Sequence, residues 1–255
     1  MGRRVLEGSP HSCAGGPLEV VTSRRRRYDQ WVCEQLDLDD AELDFFQRDV
    51  LDVAPALLTA VLRRRVAGGA VSLRITEVEA YRGQSDPGSH AFRGKTKRNQ
   101  TMFGPPGHLY CYFTYGLHHA INIVVGDTDE PQACLIRAGD IVEGAQLARQ
   151  RREVTGRQRP LPDHELARGP GCVAQCFDAN RANDGDDLWT GQWRLLVPRV
   201  GVVAPYLTGP RVGVSGPGGD AAKFPWRYWR EQSASVSRYH RGRRDIAAVA
   251  PRATR

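Results

Sequence analysis

The chain has 255 residues, of which 40% are hydrophobic and 25% are charged, and this length predicts one sizeable core rather than two typical domains. No apolar run approaches the ~18 residues of a membrane helix, and the first residues lack the apolar stretch of a signal peptide. We therefore expect a soluble, unsecreted protein that is cytoplasmic, or nuclear if it is eukaryotic. The net charge of +7 is concentrated in arginine-rich ends. This favours a polyanionic partner, although arginine-rich tails also occur without one.

The six cysteines are too sparse for a disulfide framework and form no C-x-x-C zinc spacing. We expect them to be reduced, structural thiols. Cys172 and Cys176 could share one helix face as metal ligands, but no second Cys or His pair completes such a site. His118 and His119 are adjacent, so a strand would send them to opposite faces. The sequence predicts no metal site.

Residues 1–35 lack apolar periodicity, which predicts a disordered basic tail. We expect one domain over residues 36–240, followed by a second basic tail over residues 241–255.

Near the start of the domain, apolar residues recur at helical spacing from Ala54 to Leu62. They predict one amphipathic helix, with Asp52 as its N-cap and the arginines at 63–65 in its last turn.

The next segment, AVSLRITEVEAY, alternates apolar and polar residues from Val71 to Ile75, which predicts a strand. The apolar parity then reaches Glu77, Glu79 and Tyr81. If the strand continues without a bulge, at least one carboxylate faces a partly buried space.

The stretch from Arg82 to Pro106 is rich in Gly, Pro and Ser, which predicts a long basic loop. HLYCYFTY and INIVV then predict a β-hairpin, and ACLIRA predicts a third strand. A helix is expected from Ile141 toward Arg152 with Asp140 as its cap, and another from Pro170 to Phe177. RVGVV and RVGVS, near positions 199 and 211, predict two further strands. Sheet with flanking helices is typical of an α+β fold.

Several polar and aromatic residues fall where the predicted strand, loop and hairpin adjoin, and they suggest a pocket with a general base, flat walls and an amide. Those residues are Glu79, Tyr81, His90, Tyr112 and Asn122. Tyr110 is better interpreted as core packing. Tyr115 lies beside a turn glycine at the hairpin tip, where it is a candidate wedge between bases.

The segments RITEVEAYRG, DPGSHAFRGKTKRN, MFGPPGHLYCYFTYGLHHAINIV, LIRA and ARGPG resemble the alkyladenine (3-methyladenine) DNA glycosylase family in order and spacing. The resemblance covers about residues 42–240. It implies a single mixed domain with a curved, largely antiparallel sheet, flanking helices and a protruding β-hairpin, and it implies no metal or organic cofactor. The departures are TKRN in place of a frequent TPRN, Leu117 in place of a frequent Met, and Cys172 in place of a basic residue.

Carried over residue by residue, the resemblance implies that Glu79 activates the hydrolytic water and that Arg137 helps to hold that site. Tyr81, His90 and Tyr112 would sandwich a flipped base. Asn122 would exclude the guanine amino group, and Tyr115 would fill the gap left in the duplex. Contacts with phosphates are expected from the basic loop, through Arg93, Lys95, Lys97 and Arg98.

We therefore expect a monomeric, monofunctional glycosylase that acts on double-stranded DNA containing alkylated purines: 3-methyladenine, with 7-methylguanine, ethenoadenine and hypoxanthine as further candidates. No lysine lies on the predicted pocket strands, so Schiff-base lyase chemistry is not expected. The alternative is a non-catalytic nucleic-acid-binding module of the same fold. Glu79 discriminates between them, because a pure binder has no use for an anion facing DNA.

Overall fold

The computed structural model describes residues 38–114, 116–153, 159–198 and 205–242. The predicted tails, apart from residues 241 and 242, lie outside the described residues, so the domain boundaries stay a prediction. Within the described ranges, no helix is long and apolar enough to cross a membrane.

A ten-stranded antiparallel sheet, counted over the described residues, carries the fold, and the predicted α+β class is confirmed. Its strands are β1 Leu38–Asp40, β2 Val61–Val66, β3 Gly69–Arg82, β4 Leu109–Thr114, β5 His118–Val125, β6 Gln132–Glu143, β7 Ala167–Arg168, β8 Trp193–Pro198, β9 Tyr206–Gly209 and β10 Arg227–Arg230. The main order is β1-β8-β2-β3-β6-β5-β4, while β10 pairs with β3 and β9, and β7 pairs with β6. The predicted hairpin (β4–β5) and third strand (β6) are therefore present.

Five α-helices of the described chain accompany the sheet: α1 Leu43–Phe46, α2 Val50–Ala56, α3 Ala145–Arg152, α4 Asp163–Leu166 and α5 Pro170–Phe177. α5 has the predicted bounds, since its proline occupies the first turn, where no backbone donor is needed. α2 packs on β3 and β6, and α5 packs on β5 and β6. These helices cover one face of the sheet and enclose the main core.

Alternation along the strands sends one set of side chains into that core and the other set to the opposite face. On β5, Ile121 and Ile123 join the main core, whereas Val124 joins a smaller cluster beneath the loop that follows β3. Tyr110 and Tyr112 on β4 also belong to this second cluster. The second face is the one on which the candidate site is built.

A bulge in β3 changes which of its residues face the core. Ile75 pairs with Gly139 and Glu77 pairs with Ala138, so Thr76 is an extra residue on β3. The core therefore receives Ile75 and then Val78. The expectation that the apolar parity continues to Glu77 and Glu79 is wrong, because the bulge shifts both carboxylates to the opposite face.

The helix predicted through the arginines at 63–65 is also wrong. Asp49, not Asp52, caps α2, since its side chain accepts a hydrogen bond from the Leu51 amide. The α-helix ends at Ala56, one residue after Pro55, whose nitrogen has no hydrogen to donate. The arginines lie in β2 instead, because β3 and β8 pair with its backbone on both sides.

Two further predictions fail in the second half of the chain. Asp140 caps no helix, since β6 continues to Glu143, and α3 begins only after Gly144, whose φ of +74° suits glycine. RVGVS is not a strand: Val212 and Gly213 form a turn, and the segment from Val212 to Ser215 lies beside the second face of the sheet. RVGVV, at residues 199–203, lies outside the described residues.

Candidate active site

Six of the residues singled out from the sequence line one cleft of about 340 Å³ on the second face of the sheet. Four adjacent strands and the loop after β3 supply them: Glu79, Tyr81, His90, Tyr112, Asn122 and Arg137. Antiparallel pairing of β4 with β5, β5 with β6 and β6 with β3 brings these distant sequence segments together. A rigid sheet therefore positions the polar groups of the cleft.

Glu79 is the carboxylate of the cleft, and it is fully buried. Its Oε2 accepts a hydrogen bond from the Tyr81 hydroxyl at 2.8 Å, since residues i and i+2 share one strand face. Its Oε1 accepts another from the Val212 amide at 2.6 Å, and Nη1 of Arg137 lies 3.3 Å from the same oxygen. Burial and the adjacent carboxylate raise the pKa of Tyr81 well above its ordinary value, so its hydroxyl stays a donor.

Arg137 connects this carboxylate to a second one. Its Nε donates to Oε1 of Glu77 at 2.9 Å, and both side chains are almost completely buried. Burial lowers the pKa of Arg137, but the charges of Glu79 and Glu77 outweigh burial and raise the pKa overall. The guanidinium therefore stays charged. Burial likewise raises the pKa of Glu77, but Arg137 and Arg227 outweigh this and lower it overall.

Aromatic rings form the walls of the cleft. The rings of Tyr110 and Tyr112 stack at 5.3 Å, and His90 meets the Tyr112 ring edge-on at 4.6 Å. Burial raises the pKa of Tyr110 to about 12. Desolvation, with the Arg98 charge nearby, lowers the pKa of His90 to about 4, so its imidazole is neutral near pH 7. The walls are thus uncharged and rich in π-electrons.

The Tyr81 wall is supported from behind by a buried ion pair that the sequence analysis missed. Arg211 is 1% exposed and lies 4.6 Å from the Tyr81 ring centroid. It binds both oxygens of the fully buried Asp86, at 2.5 and 2.7 Å. This pair also fixes the residue before Val212, the amide donor to Glu79. The run Ser-Gly-Pro-Gly-Gly directly after Val214 was the available signal that this segment turns.

Asn122 lines the cleft from β5 and is 4% exposed. Its amide nitrogen donates to the Tyr110 carbonyl at 3.0 Å, which fixes the side chain. Ile121 and Ile123 face the main core on the other side of the strand, as strand alternation predicts.

The four predicted phosphate contacts are exposed on the loop after β3, outside the cleft lining. Arg98 lies 5.6 Å from the Tyr112 ring, and Lys95 lies 5.7 Å from the Phe103 ring. Arg93 lines a neighbouring open groove, and Lys97 is exposed. The proposed wedge, Tyr115, lies outside the described residues.

The described cysteines are free thiols, and Cys111, Cys134 and Cys176 are buried. Cys176 donates from Sγ to the Leu166 carbonyl at 3.1 Å, which is a structural contact. Across the described ranges, no group of three or more His, Cys, Asp or Glu side chains could hold a metal ion.

Comparison with known proteins identifies the family of the chain. A family model described as methylpurine-DNA glycosylase matches residues 44–234. A protein of Leifsonia xyli is 52% identical over 199 residues, which cover 78% of this chain and 92% of the relative. One of Streptomyces avermitilis is 50% identical over 199 residues (77% and 90%), and one of Methanocella arvoryzae is 38% identical over 195 residues (76% and 94%).

All three relatives carry the name "Putative 3-methyladenine DNA glycosylase". The family resemblance inferred from the sequence motifs is confirmed, and this chain belongs to the methylpurine-DNA glycosylase family.

Proposed function

We propose that this protein is a monofunctional DNA glycosylase that extrudes alkylated purines from double-stranded DNA and hydrolyses their N-glycosidic bonds. The observation that carries the proposal is Glu79, a fully buried carboxylate in a cleft with aromatic walls. A buried charge is costly unless it is paired. A fold that only held DNA would gain nothing from the three groups arranged around this carboxylate.

The walls suit a purine that carries extra positive charge. Alkylation at N3 or N7 makes the ring cationic, and electron-rich aromatic faces attract cations by roughly 0.5 to 2 kcal/mol. Tyr81 and Tyr112 supply such faces, and the neutral His90 adds no repelling charge. The cleft would therefore favour a damaged base over a normal one before any bond is broken.

Glu79 would then act on both water and sugar. As the glycosidic bond breaks, its electron pair leaves with the base and the deoxyribose becomes oxocarbenium-like. Glu79 stabilises this charge and takes one proton from a water molecule, while the water oxygen bonds to the anomeric carbon. A positioned general base contributes about 10² to 10⁴ in rate. The products are a free purine and an abasic site.

Arg137 would orient the carboxylate, since its guanidinium lies between Glu79 and Glu77. Asn122 would exclude guanine from the cleft. Its side-chain amide is held in place on β5, in the cleft lining, where it would meet the amino group of a guanine base. Tyr115 would fill the gap in the duplex, and extrusion itself costs a few kcal/mol, least at damaged or mispaired sites.

The surrounding cations would hold the phosphate backbone beside the cleft. Arg93, Lys95, Lys97 and Arg98 are exposed on one loop that also contributes His90 to the cleft wall. Each phosphate neutralised adds about one unit to the slope of log affinity against log salt. We expect binding of a single protomer to duplex DNA that weakens steeply with salt.

The direct test is incubation with duplexes that each carry 3-methyladenine, 7-methylguanine, ethenoadenine or hypoxanthine, followed by alkaline cleavage at abasic sites. Excision of at least one alkylated purine, with strand breaks only after alkali, is the expected result. Strand breaks without alkali would indicate a lyase step. Lesion-selective binding without excision of any of the four bases would favour the non-catalytic alternative.

A further inference from the structure

Glu77 is buried beside the cleft but does not line it. Its two oxygens accept four hydrogen bonds. Oε1 accepts from Nε of Arg137 at 2.9 Å, from Nε of Arg227 at 2.7 Å and from the Ser237 hydroxyl at 2.9 Å. Oε2 accepts from the Ser237 amide at 2.6 Å. A carboxylate so fully engaged is unsuited to taking a proton from water.

The buried charges form a cluster of two carboxylates and two guanidinium groups, in which Arg137 contacts both carboxylates. Its members are Glu77, Glu79, Arg137 and Arg227. Arg137 contacts Glu77 through Nε at 2.9 Å and Glu79 through Nη1 at 3.3 Å. Arg227 approaches Glu77 from β10, where its backbone is paired opposite Glu79. Two anions and two cations therefore lie together in a region from which water is nearly excluded, and each charge affects the others strongly.

We infer that Glu77 is a positioning residue that keeps Arg137 from pairing fully with Glu79, so that the Glu79 carboxylate stays able to accept a proton from water. This inference rests on the proposed glycosylase function. Arg137 has a planar fork that can bind one carboxylate through two nitrogens. Glu77 occupies Nε, and Nη2 donates to the Ser237 hydroxyl at 3.2 Å, so Glu79 receives a single, longer contact from Nη1.

Other charged or titratable groups also face Glu79. Tyr81 on β3 donates to it, and Arg211, next to the Val212 amide donor, is neutralised by Asp86. His90 lines the same cleft. Replacing Glu77 or Arg227 leaves these other groups unchanged. A difference between the pH–rate profiles of such variants therefore reflects the charges of the cluster.

The test compares pH–rate profiles of single-turnover excision from a hypoxanthine duplex for Glu77→Gln and Arg227→Gln. Glu77→Gln removes a negative charge and frees Arg137 for Glu79, so the acid limb should move to lower pH by about 1 to 3 units. A Glu79 carboxylate bound through two nitrogens of Arg137 should also take a proton less readily and slow excision near pH 7 by about 10-fold. Arg227→Gln removes a positive charge, so the acid limb should move to higher pH.

Shifts in opposite directions are the signature, because general structural damage would not change sign with the charge removed. Ser235→Ala is the matched control. It deletes a buried hydroxyl of the same C-terminal segment, bonded to Thr76 at 2.9 Å, without changing charge, and its acid limb should stay at the wild-type position.

If Glu77→Gln does not fold, the test compares Arg227→Gln with Arg227→Lys. Only the Gln form removes the positive charge, so only that form should shift the acid limb of the pH–rate profile. Shifts of the same sign in the two charge variants, or no shift in either, would overturn the inference. A wild-type protein that excises none of the four lesions would instead overturn the proposed function.

Discussion

Glu79→Gln should remove the proton-accepting group of the cleft while keeping the side-chain contacts that hold it in place. The glutamine carbonyl can replace Oε1 and keep both the Val212 amide at 2.6 Å and the Arg137 contact at 3.3 Å. Its amide nitrogen then replaces Oε2, facing the Tyr81 hydroxyl at 2.8 Å, which can accept as well as donate. The side chain should therefore keep its position while losing the ability to take a proton.

The expected magnitudes differ for stability and for rate. Weakening a charge-assisted hydrogen bond costs about 1.5 to 3 kcal/mol of unfolding free energy, and relief of the repulsion between Glu79 and Glu77 offsets part of that loss. A lost general base should slow excision by about 10² to 10⁴, which corresponds to roughly 3 to 5 kcal/mol of activation free energy.

The assay is single-turnover excision of hypoxanthine together with a binding titration on the same duplex. Glu130→Gln is the matched control, because it makes the same chemical change at an exposed position, and it should excise at the wild-type rate. Glu79→Gln should bind the duplex at least as tightly as the wild type, since one negative charge no longer faces DNA. A Gln form that excises at nearly the wild-type rate would remove Glu79 from the mechanism.

Three further predictions concern the cleft and the hairpin. Asn122→Ser should increase excision of normal guanine from undamaged duplex, and equal exclusion by both forms would argue against a gating role. Tyr115→Ala should reduce excision most at well-paired lesions, because a stacking surface worth roughly 1 to 3 kcal/mol is lost, and a uniform loss would point to packing instead. Because the pKa of His90 is lowered from 6.5 to about 4, the unfolded state binds more protons between these values, and the unfolding free energy should fall as pH decreases through them. His90→Asn should flatten that decrease in urea titrations, whereas an unchanged slope would assign it to other groups.

Strand alternation and local motifs are sufficient to predict the β4–β5 hairpin, the short helix α5 and five of the residues that line the cleft, whereas Arg137 follows only from the family resemblance. Alternation failed where one residue disrupted it. Thr76 adds a residue to β3 that no local pattern reveals. The apolar spacing from Ala54 to Leu62 fits a helix throughout, yet pairing with β3 and β8 makes the last part of this segment a strand.

The surroundings of Glu79 could not be predicted for a different reason. Tyr81 is two residues away, and its contact follows from strand geometry. The Val212 amide is 133 residues away. A backbone donor has no side-chain signature in a sequence, so only the folded chain reveals it.

These long-range contacts have a consequence for biosynthesis. Val212 donates to Glu79 across 133 residues, and Arg227 and Ser237 reach Glu77 across 150 and 160. Contacts between such distant positions form late, because a long stretch of chain must be ordered before they can be made. A nascent chain that has just emerged through β6 already carries Glu79 and Arg137 but lacks Val212, Arg227 and Ser237. Under the proposed function, catalytic competence should therefore appear only after the chain has been synthesised through Ser237.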